Sequence, residues 1–335
     1  MKSAVLSLLF LFSLSFLTSS CVKEVQTAPN HSIKLTFESA TIPAGFTKQL
    51  VCQNDSLSDL IWSSTDSTVV AVNTKGLLTA YKAGQATITV KSKAYNASAT
   101  CAITVTDQPV TDVGVGADGS VFVIGADSAS ATGGFGIYKY YNDQLHKLPE
   151  CAGVRIAVDP HGMPWVVNKS HLIFKYNGTL VWEQMPGTAN DIGIGADGSV
   201  YIIGTQNVSP TGGYNIMKWN GSGWDTMPDC AGIHIAVAPN GIPWVVNASN
   251  LVFRYGGTYL WDTINGVAGN DIGVGADGSV FVTGQTSTDP TYNPPIYKFN
   301  GTGWDALPGL SGVSISVDPA GKIWYIDKLG ALHHP

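Results

Sequence analysis

From residue 32 onwards the chain is written in short runs in which apolar and polar residues alternate. Ala86-Thr-Ile-Thr-Val90, Ala102-Ile-Thr-Val105, Val113-Gly-Val115 and Ile156-Ala-Val158 are examples. A period of two sends successive side chains to opposite faces, so each run predicts a β-strand with one buried face. Gly, Pro and Asn punctuate the runs, as at Pro43-Ala-Gly45, Lys75-Gly76, Asn177-Gly178, Asn220-Gly221 and Asn300-Gly301. Those signals predict tight turns, and the fold class is all-β.

The phrase Gly-Ala-Asp-Gly-Ser-Val recurs at 116–121, 195–200 and 275–280, in steps of 79 and 80 residues. Weaker copies lie between: Ile156-Ala-Val-Asp-Pro-His-Gly162, Ile235-Ala-Val-Ala-Pro-Asn-Gly241 and Ile315-Ser-Val-Asp-Pro-Ala-Gly321. The true period is therefore about 40 residues, repeated six times, with odd and even copies of different type. That period and its Gly-closed turns fit a propeller blade of four strands. The inner strand carries small residues (Gly114, Ala157, Gly193, Ala236, Gly273, Ser316) and the second a large aromatic (Phe122, Trp165, Tyr201, Trp244, Phe281, Trp324). Both are read as packing between neighbouring blades. The third strand reads Ile-Tyr-Lys-Tyr or a variant of it. The fourth holds Trp182, Trp224, Trp261 or Trp304. The sixth copy stops on its third strand and is expected to be three-stranded, or completed by Thr106–Pro109.

Residues 108–335 resemble the tectonin β-propeller family, on the thrice-repeated Asp-Ile/Val-Gly-Ile/Val-Gly-Ala-Asp-Gly-Ser-Val, the Ile-Tyr-Lys-Tyr/Trp-Asn-Gly strand and the Trp-Glu/Asp…Pro-Gly segment. That resemblance implies recognition of glycans or lipopolysaccharide, with no catalytic residues. Residues 32–107 have strand and turn spacing suited to a β-sandwich. Their phrases Leu60-Ile-Trp62, Val70-Ala-Val-Asn-Thr-Lys-Gly76, Ala83-Gly-Gln-Ala-Thr-Ile-Thr-Val90 and Cys101-Ala-Ile-Thr-Val105 are similar to the bacterial immunoglobulin-like group-two family. That implies a stalk or adhesion module, with Trp62 in its core. The expected architecture is an N-terminal immunoglobulin-like β-sandwich followed by a six-bladed β-propeller.

The N-terminus changes the setting. Lys2, the apolar run Ala4–Leu17 and Thr18-Ser19-Ser20 lead to Cys21, and residues 1–21 resemble a bacterial lipoprotein signal with Cys21 as the lipidated residue. Residues 22–31 are then a linker, and Lys23-Glu24 resembles a surface-export tag. The expectation is a lipid-anchored protein of the bacterial cell envelope, on the outer membrane and exposed at the cell surface. An exported setting permits a disulfide between Cys52 and Cys101. Cys151 and Cys230 share one place in the repeat and read as small buried residues. The net charge of −6, with scattered Lys and Arg, excludes a nucleic-acid partner. No cofactor or metal motif stands out, and no nucleophile or paired-carboxylate motif argues for an enzyme.

Two candidate sites remain. The segments after the second strand of odd copies (125–136, 204–215 and 284–295) are long and rich in Ser, Thr, Gly and Asn, and read as loops. Phe135, Tyr214 and Tyr292 with Asn207, Asn215 and Asn293 are the candidate carbohydrate-binding residues, because an aromatic face beside amide donors suits a sugar. A surface protein is the alternative partner. Asp112, Arg155, Asp191, His234, Asp271 and Ser314 open the successive inner strands and are expected to ring the axis. They are read as ion pairs and hydrogen bonds between blades, or as holding an ion on the axis.

Overall fold

A computed structural model describes residues 32–335 except 54–58, 94, 96, 131–132, 143, 259 and 290–291. All regular structure among the described residues is strand, apart from turns. The N-terminal unit is two packed sheets. Ser39–Pro43, Ser98–Thr106, Gly84–Ser92 and Leu60–Ser64 make one, with Ser39–Pro43 parallel to Ser98–Thr106. Thr47–Gln49, Leu77–Ala80 and Val70–Val72 make the other. The alternation seen in the sequence is the reason: Ala86, Ile88 and Val90 turn inward onto Leu50, Leu78 and Ile103, and Trp62 packs against this core. The expected disulfide is absent. Cys52 and Cys101 are both free thiols. Cys101 is fully buried on its strand, whereas Cys52 lies half-buried in the isolated bridge to Leu35, so each serves the same core as a small apolar group.

Six consecutive antiparallel sheets follow. Their inner strands contain Val110–Val115, Arg155–Val158, residues 191–194, His234–Val237, Gly269–Val274 and Ser314–Val317. Each inner strand touches the next, and the last touches the first, which closes a ring. The first five sheets have four strands; Trp182–Ile194 runs unbroken from the fourth strand of the second sheet into the inner strand of the third. The sixth has three: Ser314–Val317, Ile323–Ile326 and Leu332–His333. This is a β-propeller. Glycine on the odd inner strands sets the spacing, since a Cβ on Gly193 would lie 2.9 Å from the Ile235 carbonyl oxygen of the next strand.

A regular ladder braces each sheet. Lys139, Lys175, Lys218, Arg254 and Lys298 on the third strands lie over Phe122, Trp165, Tyr201, Trp244 and Phe281 on the second. In the sixth sheet His334 takes that place, stacked on Trp324 at 4.7 Å. The fourth-strand indoles tie sheet to sheet: Trp182, Trp224 and Trp261 donate Nε1–H to the carbonyls of Pro149, Pro186 and Pro228. The repeated Asp-Gly-Ser is a turn brace, in which Asp118 accepts both the N–H and the hydroxyl of Ser120.

Candidate functional site: two repeated grooves and an axial hub

The segments read as loops in the first and third sheets are strand. Val121–Ser130 pairs with Gly134–Tyr141, and Val200–Ser209 with Gly213–Trp219, each with register shifts. Bulges let the alternation continue past the sheet edge. Only in the fifth sheet do the strands stop early, at Gly284 and Pro295.

The six candidate residues do not converge. Phe135 is half-buried against the core shared by the first and second sheets, and Tyr214 against that shared by the third and fourth. Asn215 is buried, and its Oδ1 accepts the Gln206 N–H at 3.1 Å. Asn207 is exposed and stands opposite Tyr214 across the hairpin. Tyr292 and Asn293 are exposed on the fifth sheet. By repeat spacing the counterpart of Phe135 and Tyr214 there is Pro294, so Tyr292 is not their equivalent.

The extended hairpins instead form walls of two grooves. The first, of about 950 Å³, lies between the first and second sheets and is lined by Ser128, Ser130, Glu150, Cys151, Asn168, Phe174 and Trp182 among others. The second, of about 440 Å³, lies between the third and fourth and is lined by Val208, Ser209, Asp229, Cys230, Asn247 and Phe253 among others. A step of 79 residues carries Glu150, Cys151, Asn168, Phe174 and Trp182 onto Asp229, Cys230, Asn247, Phe253 and Trp261. In the first groove Trp182 is held by its indole bond to the Pro149 carbonyl, and in the second the lining aromatic is Phe253.

Glu150 and Asp229 hold left-handed backbone, with φ of 65° and 62°. The repeat has glycine at this place elsewhere: Gly187, Gly266 and Gly309, all with positive φ. An acidic side chain there costs about 1 kcal/mol that glycine would not. Backbone strain of this kind collects at functional sites. The sequence carried the signal, as a Pro-Gly pattern broken by Pro149-Glu150 and Pro228-Asp229. Burial pushes the Cys151 thiol up to about 11 and the Cys230 thiol up to about 12, so both stay protonated near neutrality.

The axial residues do converge, at the same end of the strands as the grooves, since Arg155 pairs with Val167 immediately before Asn168. Each odd aspartate accepts the N–H of the second residue of the next inner strand: Asp112 from Ile156 at 2.8 Å, Asp191 from Ile235 at 3.0 Å and Asp271 from Ile315 at 3.0 Å. Arg155 lies between Asp112, at 3.6 Å, and Asp191, at 3.8 Å. His234 lies between Asp191, at 3.3 Å, and Asp271, at 3.7 Å. The Ser314 hydroxyl donates to Asp112 at 2.9 Å. Arg155 Nη2 is 3.4 Å from His234 Nε2. Because a guanidinium only donates, Nε2 accepts and the histidine proton sits on Nδ1, facing Asp191. Burial, followed by the other aspartates and against the pull of Arg155, pushes the Asp112 carboxyl up to about 7. Below the hub is a cavity of about 70 Å³ lined by the inner strands, room for a few waters at most. The hub thus latches odd sheets to even ones, with Arg155 as its internal counter-ion.

The family profile of the Tectonin domain matches residues 109–288, and that of the bacterial Ig-like domain (group 2) matches residues 22–103. The chain belongs to the Tectonin family, with a group-two immunoglobulin-like domain before the propeller. No curated protein matches it. Among solved structures it is similar to the WD40 β-propeller domain of Doa1, at 14% identity over 68% of this chain and 92% of that one, TM-score 0.45. It is also similar to YCF48 bound to D1 peptide, at 15% identity over 67% of this chain and 77% of that one, TM-score 0.41. An auxiliary nutrient binding protein from Bacteroides ovatus is matched at 10% identity over 89% of this chain and 96% of that one, TM-score 0.41.

Proposed function

We propose that this chain is an exported, lipid-anchored, non-enzymatic protein whose propeller binds carbohydrate, either glycans or lipopolysaccharide, with the immunoglobulin-like domain holding it away from the membrane. The observation that carries the reading is the pair of grooves, each lined at equivalent places by a cysteine, an asparagine and a phenylalanine beside a strained acidic residue. An aromatic wall offers a face for a sugar's C–H groups, while Ser, Asn and acidic groups serve its hydroxyls. Two weak sites on one rigid ring gain avidity against a repeated glycan. The protonated thiols of Cys151 and Cys230, which are poor nucleophiles, support a binding role for the grooves. The segment ending at Cys21 supports the anchor.

The test is a glycan array that includes bacterial lipopolysaccharides, probed with the full chain. The reading expects a restricted set of positives that weaken when Phe174 and Phe253 are replaced. Silence across the array would transfer the grooves to a surface-protein partner. For the anchor, Cys21→Ser is expected to release the protein from the membrane fraction.

A further inference from the structure

At the seam between the sixth sheet and the first, the repeat departs twice from its own pattern. Leu332–His333 is the edge of the sixth sheet, paired on one side with Ile326 and Tyr325. On the first sheet, Leu145 stands where the third and fifth carry Trp224 and Trp304. Beside both lies a cleft of about 230 Å³. Tyr140, Leu145 and Leu332 of the propeller line it, with Ala44, Tyr81 and Ala83 of the immunoglobulin-like domain. Gln108 also lines it, 3% exposed, and its Oε1 is buried with no hydrogen-bond partner among the described residues.

The other two seams of this type show what fits there. In the second sheet Met185 on the fourth strand pairs with Ile173 and packs with the cluster that includes Trp224. In the fourth sheet Ile264 pairs with Val252 and packs with the cluster that includes Trp304. Leu332 holds the repeat place of Ile173 and Val252, and packs with the cluster that includes Tyr140 and Leu145. Charge follows the same rule. Fourth-strand acids stand opposite third-strand cations: Glu183 opposite Lys175, Asp225 opposite Lys218, Asp262 opposite Arg254 and Asp305 opposite Lys298. His334 holds the cation's place in the sixth sheet, and Lys82 lines the same cleft, against one acid, Asp107.

We infer that the cleft is a docking site for an extended polypeptide segment of a partner protein, which adds to the Leu332–His333 edge as a fourth strand. Its chemistry is that of Trp182-Glu-Gln-Met185 and Trp261-Asp-Thr-Ile264: aromatic, acid, polar, aliphatic. An edge strand offers a row of unpaired backbone groups, so the main chain supplies affinity and alternate side chains supply specificity. The acid meets His334 and Lys82, and the aliphatic residue packs on Leu145 and Leu332. A backbone N–H entering the cleft is a donor of the kind that Gln108 Oε1 lacks. The site is separate from the two grooves and does not depend on what they bind.

The test is calorimetric titration of the full chain with the blocked peptide acetyl-Trp-Glu-Gln-Met-Pro-Gly-amide, the sequence of residues 182–187, followed by hydrogen–deuterium exchange of the complex. One site is expected, with added protection at residues 330–334. The Glu183→Lys form of the peptide, and the unaltered peptide on the Lys82→Glu protein, are each expected to bind about tenfold more weakly. Leu145→Trp restores the indole whose counterpart Trp224 donates to the Pro186 carbonyl, and is expected to tighten binding several-fold. Absence of binding, protection confined to other residues, equal affinity for the two peptides, or an affinity unchanged by both protein variants would each overturn the inference. None of these outcomes bears on the glycan array, so the carbohydrate reading stands or falls separately.

Discussion

Glu150 and Asp229 adopt one left-handed backbone conformation, with φ of 65° and 62°, at a place in the repeat where Gly187, Gly266 and Gly309 stand in other copies. Replacing either by glycine is expected to relieve the strain. Glu150→Gly and Asp229→Gly should each raise stability by about 0.5–1 kcal/mol, less any loss from added freedom in the unfolded chain. Urea denaturation measures this. The same variants should weaken ligand binding, so stability and affinity move in opposite directions. A variant that loses both would mean that the acids are needed for folding.

The hub is the mechanical centre of the ring. Asp191 accepts the Ile235 N–H and faces both Arg155 and His234. Asp191→Ala leaves the buried Ile235 N–H without its acceptor, takes one carboxylate from His234, and leaves the half-buried Arg155 guanidinium with Asp112 alone. The expected cost is on the order of 3 kcal/mol, read as a lower urea midpoint with an unchanged slope. A loss below about 0.5 kcal/mol would show that face packing alone closes the ring.

Asp112 gives the hub a pH dependence of definite sign. Its folded carboxyl is pushed up to about 7, so between the ordinary carboxylate range and about pH 7 the folded state holds a proton that the unfolded state has lost. Stability from this group is therefore greatest at low pH and falls as pH rises towards 7. Melting temperature measured from pH 5 to pH 8 should fall more steeply in the wild type than in Asp112→Asn. Parallel curves would contradict the assignment.

The four fourth-strand indoles differ in one respect. Trp224 donates to the Pro186 carbonyl at 2.7 Å, whereas Trp304 Nε1 is buried without a partner. At the place of Pro149, Pro186 and Pro228, the strand before Trp304 carries Asn265. Trp224→Phe should cost about 1 kcal/mol more than Trp304→Phe in denaturant titration, because only the first breaks a hydrogen bond. Equal costs would assign the tryptophans to packing alone.

The architecture was legible because it is repetitive. Gly116-Ala-Asp-Gly-Ser-Val121 and its copies mark the inner hairpin, and the aromatic on the next strand marks its buried face. Convergence of Asp112, Arg155, Asp191 and His234 followed from their shared place at the start of inner strands. The grooves were not legible in the same way. Phe135 and Tyr214 lie in segments whose composition suggests loops, yet bulged pairing carries those segments on as strand and folds both rings into the sheets. Asn168 and Asn247 look like ordinary turn residues, and Oδ1 does serve the turn. Only the structure shows that each also lines a groove. The pairing of Cys52 with Cys101 failed because a shared core is not bonding geometry.

The central claim is that the two grooves are where carbohydrate sits. Hydrogen–deuterium exchange of the full chain, with and without a glycan positive on the array, tests it directly. The account predicts added protection at residues 147–153 and 226–232, the groove walls, with the hub and the immunoglobulin-like domain unchanged. Protection confined to residues 284–295, or to the immunoglobulin-like domain, would contradict it.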